Sequence, residues 1–387
     1  MNIKKNAFLL GLIHFLSEFR LYAAVAVLYF TEISGSMMLG MGVFSVAMLS
    51  GAVLELPTGI LSDLVGRRRT IVLGAAASLI SIMLYSVGKG ILWLMAAAVF
   101  EGLSQALFSG NNEAFLYGHL KSAGREEEYK AFLGKILSMA HIALSVSALI
   151  GSLMLIFGTY AMLFRLSIIP RALGLAAALF PDEPETTDRD RKSPWHHLRE
   201  SLWEVCRNSK LLRIFIADSL SDGAGEAAYQ FRASFLKMVW PVWAIGLAGT
   251  LGDVLAAFSF WISERWIDRK GYKGVILVGK LYSIISNVAA FLMRNVFSPV
   301  LLTTNALFYG VTGVARSDMS QKLFTDRHRA SMGSIKSFAG SLVYALLAVV
   351  IGGVADRFGV IAALVSFQIF GVVSLAIYMN LFKTDEV

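Results

Sequence analysis

The chain has 387 residues, of which 56% are hydrophobic and only 16% charged, with a mean hydropathy of +0.64. Soluble domains carry about 25% charged residues, and surface-to-volume scaling forbids a water-soluble monomer of this size from burying so much apolar surface. Few prolines and no Ser/Pro or Gln/Asn tract exclude disorder. Lipid is the expected solvent. The net charge of +8 would suggest nucleic acid on a soluble protein. Here Lys and Arg sit in short loops between apolar runs, as the positive-inside bias of membrane proteins produces, and no nucleic-acid partner is expected. The lone Cys206 has no disulfide or metal-ligand companion and reads as an inert cytoplasmic thiol.

Met1 to Lys5 followed by apolar residues imitates a signal peptide, but Glu18 and Arg20 inside the run predict a retained first helix. A helix needs about 20 apolar residues to cross the hydrocarbon core, and no segment alternates with the period of a barrel strand. Six spans are predicted in the first half: Ala7–Phe30, Met38–Ile60, Thr70–Val87, Ile91–Tyr117, Phe132–Phe157 and Tyr160–Phe180. The second half gives Leu212–Val239, Val242–Trp261, Val275–Leu292, Val300–Ala315, Met332–Val354 and Val360–Phe382. Lys and Arg fall mostly in alternate loops, which places both termini in the cytoplasm and the chain in the inner membrane.

The longest hydrophilic segment, residues 181–210, divides the chain into bundles at 1–180 and 211–387. It begins as a solvated linker. It then sets Trp195, Leu198, Leu202 and Val205 at helical spacing, which predicts an amphipathic helix on the membrane face.

An internal repeat supports the division. Gly59-x-x-x-Asp63-x-x-Gly66 after span two has a weaker copy, ending Asp268-Arg-Lys-Gly271, 205 residues later after span eight. Glu18 in span one stands 204 residues before Asp222 in span seven, and Glu101 in span four 204 before Asn305 in span ten. Two parallel-related six-helix bundles are the simplest account.

Ionisable residues inside spans cost roughly 2.5–3.5 kcal/mol each on insertion scales and tend to face an interior or a water-filled path. At helical spacing, His14, Glu18 and Tyr22 share one face of span one, and Asp218, Asp222 and Glu226 one face of span seven. Glu101, Gln105 and Asn112 do so in span four, and Asn305, Tyr309, Thr312 and Arg316 in span ten. Arg20, Arg165, Asp253 and Lys280 each stand alone, and a buried ion pair or interhelical hydrogen bond is the plain reading for them. Glu18, Glu101 and Asp222 are the expected cavity acids, with Tyr22, Gln105, Glu226, Asn305 and Tyr309 beside them.

The loop Gly59-x-x-x-Asp63-x-x-Gly66-Arg67-Arg68-Arg69, with Glu113 to Tyr129 further on, resembles the loop motifs of the major facilitator superfamily, bacterial efflux-type members included. That resemblance implies an all-α integral membrane fold of twelve helices in two pseudo-symmetric six-helix bundles, with helices one, four, seven and ten lining a central cavity. It also implies a latch of Gly59, Asp63, Gly66, Arg67, Arg68, Glu113, Asp268 and Gly271, with Asp63 meeting the start of helix eleven. Arg67 or Arg68 is then expected to pair with Glu113. Leu64 stands where the family commonly has a cation, and span five lacks the Gly-Pro-rich motif of many proton-coupled exporters. Gly352-x-x-x-Asp356-x-x-Gly359 falls on the opposite side and reads as an ordinary turn.

No phosphate-binding Gly-Lys-Ser/Thr loop, metal cluster or other enzyme signature is present in the sequence, and no cofactor is expected. The expectation is a monomeric secondary transporter working by alternating access. Like-charge repulsion among five acids facing few cations favours proton antiport, with efflux of a lipophilic or cationic compound. Uptake of a sugar, nucleoside or siderophore is the alternative within the class, with Arg20 and Arg316 holding an anionic group. A non-transporting membrane receptor is the alternative outside it.

Overall fold

The computed structural model describes residues 3–183, 207–323 and 329–383, apart from the side chains at 321, 323 and 329–334. The amphipathic helix expected at Trp195 to Val205, and the side chains that would meet Asp63 at the start of span eleven, lie outside the described residues. Every regular element among the described residues is helical. The chain separates into two compact units, residues 1–190 and 191–387.

The first unit contains α1 (Ile3–Glu18), α2 (Ala26–Ser34), α3 (Met37–Val65), α4 (Arg67–Val87), α5 (Ile91–Phe108) and α6 (Asn111–Lys121). It continues with α7 (Tyr129–Met154), α8 (Tyr160–Leu166) and α9 (Ile168–Ala178). Helix α1 packs on α7 and α9, and α5 packs on α3 and α4. The second unit contains α10 (Ser209–Val239), α11 (Ile245–Met293), α12 (Ser298–Thr303), α13 (Ala306–Leu323), α14 (Arg329–Phe358), α15 (Val360–Ser366) and α16 (Gln368–Leu381). There α11 packs on α13, and α10 on α14 and α16.

The repeat reappears in the packing. Leu10, Ile71, Phe115 and Ala178 form one buried core. Ile214, Ile276, Met319 and Leu381, each 203 to 205 residues later, form the other. Gly66 (φ 97°, ψ 154°) and Gly271 (φ 66°, ψ 169°) share one backbone conformation between successive spans. Gly359 (φ 89°, ψ 160°) adopts it too, so the third Gly-x-x-x-Asp-x-x-Gly stretch is the same turn and not an ordinary one.

Nine helical segments among the described residues are long and apolar enough to cross a membrane. One of them, Val242–Met293, runs for 52 residues and covers predicted spans eight and nine. Spans seven and ten fall short of that measure. Their ionisable residues (Asp218, Asp222 and Glu226; Arg316, Asp318 and Lys322) dilute the apolar run.

Several expected spans are interrupted where polar residues gather. Span one breaks after Glu18 and resumes through a 3-10 turn at Ala23–Val25. Helix α7 causes this. Ser147 Oγ accepts the Arg20 amide at 3.0 Å, and a Cβ on Gly151 would stand 1.8 Å from the Leu21 carbonyl oxygen. Span four breaks at Ser109 and Gly110, where Gly110 has φ 64°. Span ten breaks at Thr304 and Asn305, and spans six and twelve at Ser167 and Phe367, 200 residues apart. The single helical faces expected for Tyr22, Asn112 and Asn305 with their neighbours are therefore not continuous.

Candidate functional site

The break after Glu18 frees Arg20 to turn back on the first unit. Arg20 Nη2 lies 2.9 Å from both Glu18 carboxylate oxygens, and Nη1 donates to Glu101 Oε1 at 3.4 Å. The other Glu101 oxygen accepts from Tyr85 Oη at 2.8 Å. One guanidinium thus bridges spans one and four, and the carboxylates expected to stand free are paired. Tyr22 is buried and stacks on Phe164 with ring centroids 4.2 Å apart, within an aromatic cluster that includes Tyr29 and Phe30. Arg171, 8% exposed, donates to Ser78 Oγ across spans six and three.

Beside this network a cavity of about 310 Å³ opens in the first unit. Glu18, His14, Gln105, Asn112 and Glu113 supply its polar wall, with Phe108, Leu133 and Leu137 among its apolar lining. His14 Nε2 and Asn112 Nδ2 are 2.8 Å apart, so the imidazole nitrogen accepts from the amide. Asn112 is buried, and its Oδ1 has no hydrogen-bond partner. The cavity therefore presents neutral hydrogen-bonding groups next to an aromatic ring, together with two carboxylates: Glu18, which already holds a cation, and Glu113, which accepts from Tyr129.

In the second unit the positions equivalent to His14 and Asn112, 204 residues on, are Asp218 and Arg316. The neutral pair is replaced by an ionic one. Arg316 Nη1 bridges Asp218 at 3.1 Å and Asp222 at 2.6 Å. Asp218, fully buried, also takes Lys336 at 2.5 Å and the Tyr378 hydroxyl. Like-charge repulsion at Asp222, expected from its helical neighbours, is thus offset by a guanidinium from span ten. Glu226 is exposed and accepts from Gln230 at 2.8 Å. Asn305 is tied to its own bundle, donating to Asn287 Oδ1 at 2.7 Å and accepting from Ser286 at 2.6 Å. Tyr309 is exposed, its ring set edge-on to Phe260.

Gly59, Asp63 and Gly66 close span two. Asp63 meets Arg67 Nη2 at 3.4 Å. Neither Arg67 nor Arg68 takes Glu113 as its partner. The Arg68 guanidinium donates to the Leu179 carbonyl at 2.7 Å, and Glu113 accepts from Tyr129 at 3.4 Å. The α4 N-terminus is capped instead by Glu183, whose oxygens accept from the Arg67 and Arg68 amides at 2.6 and 3.1 Å, where a carboxylate also suits the helix dipole. Next to it Asp182 accepts from Asn6 at 3.3 Å and lies 3.6 Å from Lys5. The Asn6 hydrogen bond, then the Lys5 charge, hold the Asp182 carboxyl below the usual carboxylate range. In the copied loop Asp268 is exposed. There the tie between spans is made by Tyr272, which donates to Asp318 and accepts from Lys322.

Neither Glu183 nor the His14–Asn112 pair stands out in composition. The pair was findable by the same 204-residue offset that links Glu18 to Asp222. Glu183 sits in a stretch with the composition of a linker.

Two repeated helical bundles with polar groups buried among apolar helices define a membrane solute carrier. The chain belongs to the Major Facilitator Superfamily, whose model matches residues 7–342. It is 20% identical over 346 residues to the uncharacterized MFS-type transporter YxaM of Bacillus subtilis (strain 168), covering 85% of this chain and 86% of that one. The crystal structure of the nucleoside transporter NupG shares the fold with a TM-score of 0.80 at 14% identity, over 99% of this chain and 100% of that chain. A bacterial homologue of the human lysosomal transporter Spinster, in an inward-facing and unoccupied conformation, gives 0.76 at 17% identity, over 99% and 97%. The protein is a multi-pass membrane protein of transporter fold, and that family and fold are not those of enzymes.

Proposed function

We propose that this protein carries a small, uncharged, hydrogen-bonding solute with a flat ring, of the nucleoside kind, by alternating access across the cytoplasmic membrane, as a monomer with both termini inside. The observation that carries the reading is the neutral His14–Asn112 pair on the wall of the 310 Å³ cavity, with Asn112 Oδ1 unpartnered and Phe108 beside it. A buried polar group without a partner costs about 1–3 kcal/mol, and Asn112 Oδ1 is itself shut off from the cavity surface. A turn of the Asn112 side chain that brings it to a solute N–H or O–H recovers that cost. Phe108 offers a face for a ring. The fold shared with a nucleoside transporter is compatible with this class of solute.

Export of a cation would require a surplus of free acids. The ion pairs of Arg20, Arg316 and Lys336 remove most of that surplus, and with it the argument for a cationic substrate. The loop of Gly59, Asp63, Gly66, Arg67 and Arg68 serves as a conformational latch, with Asp268 and Gly271 in its second copy. Its α4 end is clipped by Glu183.

The test is counterflow of labelled uridine in proteoliposomes. The parent should exchange uridine, and Asn112→Ala should need at least about tenfold more for half-saturation, the equivalent of roughly 1.4 kcal/mol. A parent that exchanges a lipophilic cation and not uridine would restore the efflux reading.

A further inference from the structure

Among the described residues, each bundle holds a buried cation bound to a serine at equivalent places, with the two roles exchanged. In the first unit Arg171 on α9 donates to Ser78 on α4. In the second the cation has moved to the other helix: Lys280 on α11 donates to Ser374 on α16 at 2.9 Å. Ser78 and Lys280 are 202 residues apart, Arg171 and Ser374 203. The exchange keeps a positive group between the same two helices and changes its chemistry. A guanidinium stays charged in proteins, whereas a lysine amine exists in two charge states.

The contacts of Lys280 suit both states. Its Nζ donates to Ser221 Oγ at 2.8 Å and to Ser374 Oγ, and Ser374 passes its own proton to the Ala217 carbonyl at 2.8 Å. Two N–H bonds satisfy both serines, so a neutral amine keeps every hydrogen bond. Among the described residues, the third proton of the ammonium has only the Tyr378 ring, with Nζ 5.3 Å from its centroid. Among the described residues no carboxylate lies within ion-pair distance of Lys280.

The surrounding charges are committed elsewhere. From α10 come Asp218 and Asp222, from α13 Arg316, from α14 Lys336 and from α16 Tyr378. Helices α12 and α15, which also pack on α11, carry no ionisable side chain. Asp218 and Asp222 balance Arg316 and Lys336, so a change of charge at any of these four strips a partner. Lys280 can change charge without breaking a pair.

We propose that Lys280 is the proton-coupling group of this transporter. Its Nζ lone pair takes a proton from water on one side of the membrane, and the ammonium returns that proton to water on the other. The signal has a route within the bundle, because the Tyr378 ring under the ammonium donates its hydroxyl to Asp218, which holds Lys336 on α14. This assignment goes beyond the solute reading and does not depend on which solute is carried.

The test fixes the charge both ways in the full-length protein. Lys280→Met stands for the neutral state and Lys280→Arg for the charged one, with Lys280→Gln as a second neutral variant that retains hydrogen bonding to the serines. Spin-label distances between the two bundles are measured from mildly acidic to mildly alkaline pH, with no solute present. The parent's distance distribution should shift with pH. The neutral variants and the arginine variant should lose that shift and hold opposite ends of it. In proteoliposomes the neutral variants should lose uphill accumulation driven by a pH gradient while keeping counterflow. A parent whose distances ignore pH, a neutral variant that follows pH as the parent does, or neutral and charged variants resting at one end would each overturn the proposal. The distance measurement needs no uridine, so its failure leaves the solute reading standing. Absence of uridine exchange, in turn, does not touch Lys280.

Discussion

Replacing Arg20 by Met should unfold the first bundle's polar network, and the size of the effect follows from its geometry. At 3.4 Å and an effective dielectric constant of about 20, the gross attraction of Arg20 for Glu101 alone is about 5 kcal/mol. Desolvation of the three charges offsets most of it. Losing one partner of a fully buried pair costs about 3–5 kcal/mol, and a fully exposed pair is worth at most about 1 kcal/mol. The side chains here are between 19% and 32% exposed, which places the loss between those limits, at about 2–3 kcal/mol. Unfolding in detergent micelles should show that loss for Arg20→Met. The triple variant Arg20→Met, Glu18→Gln, Glu101→Gln should recover most of it, because neutral amides of the same shape leave no charge unpaired. An Arg20→Met protein as stable as the parent, or a triple variant no better than the single one, would refute the view that these acids are structural partners of Arg20.

Asp218→Asn should cost more stability than Asp222→Asn. Asp218 is fully buried and takes two cations, whereas Asp222 is 48% exposed and takes one; unfolding of the two variants side by side measures the difference. Gly151→Ala should perturb both stability and solute binding, because its methyl would collide with the Leu21 carbonyl and displace Arg20; a variant with unchanged melting would disprove that close approach. The Asp182 carboxyl is held below the usual range by Asn6 and Lys5. Its clip to α1 should therefore be fully present above the ordinary carboxylate pKa and be lost as pH falls through the lower folded value. Hydrogen exchange around Asn6 should report that loss, and Asp182→Asn should abolish the pH dependence. Gly66→Ala should fail more severely than Glu183→Gln, since φ 97° strains any Cβ there and the cap itself is worth only about 0.3–1 kcal/mol; expression and melting of the two variants decide it.

Much of the architecture could be read from the chain, because apolar runs of crossing length and a repeated offset are long-range regularities. The pairs Glu18 with Asp222 and Gly66 with Gly271 show up through spacing alone. The interruption after Glu18 could not be read in the same way. It lies in a continuous apolar run, and its causes, Ser147 and Gly151, are more than 120 positions away on α7. Without that break Arg20 looks solitary and Glu18 looks free, so the sequence alone shows acids outnumbering cations. Asp222 misleads for a related reason. Its helical neighbours are acids, but its nearest charge is Arg316, brought from span ten by packing. Local spacing shows what shares a helix face, and only the packed bundle shows what faces it.

The central claim is that the first bundle's neutral pair, and not a free carboxylate, recognises the solute. Calorimetric titration of the purified protein with uridine tests it most directly. The parent should bind saturably, with binding weakened at least about tenfold by His14→Ala and by Asn112→Ala and little changed by Asp222→Asn. Equal binding by the parent and Asn112→Ala, or loss of binding in Asp222→Asn alone, would contradict it.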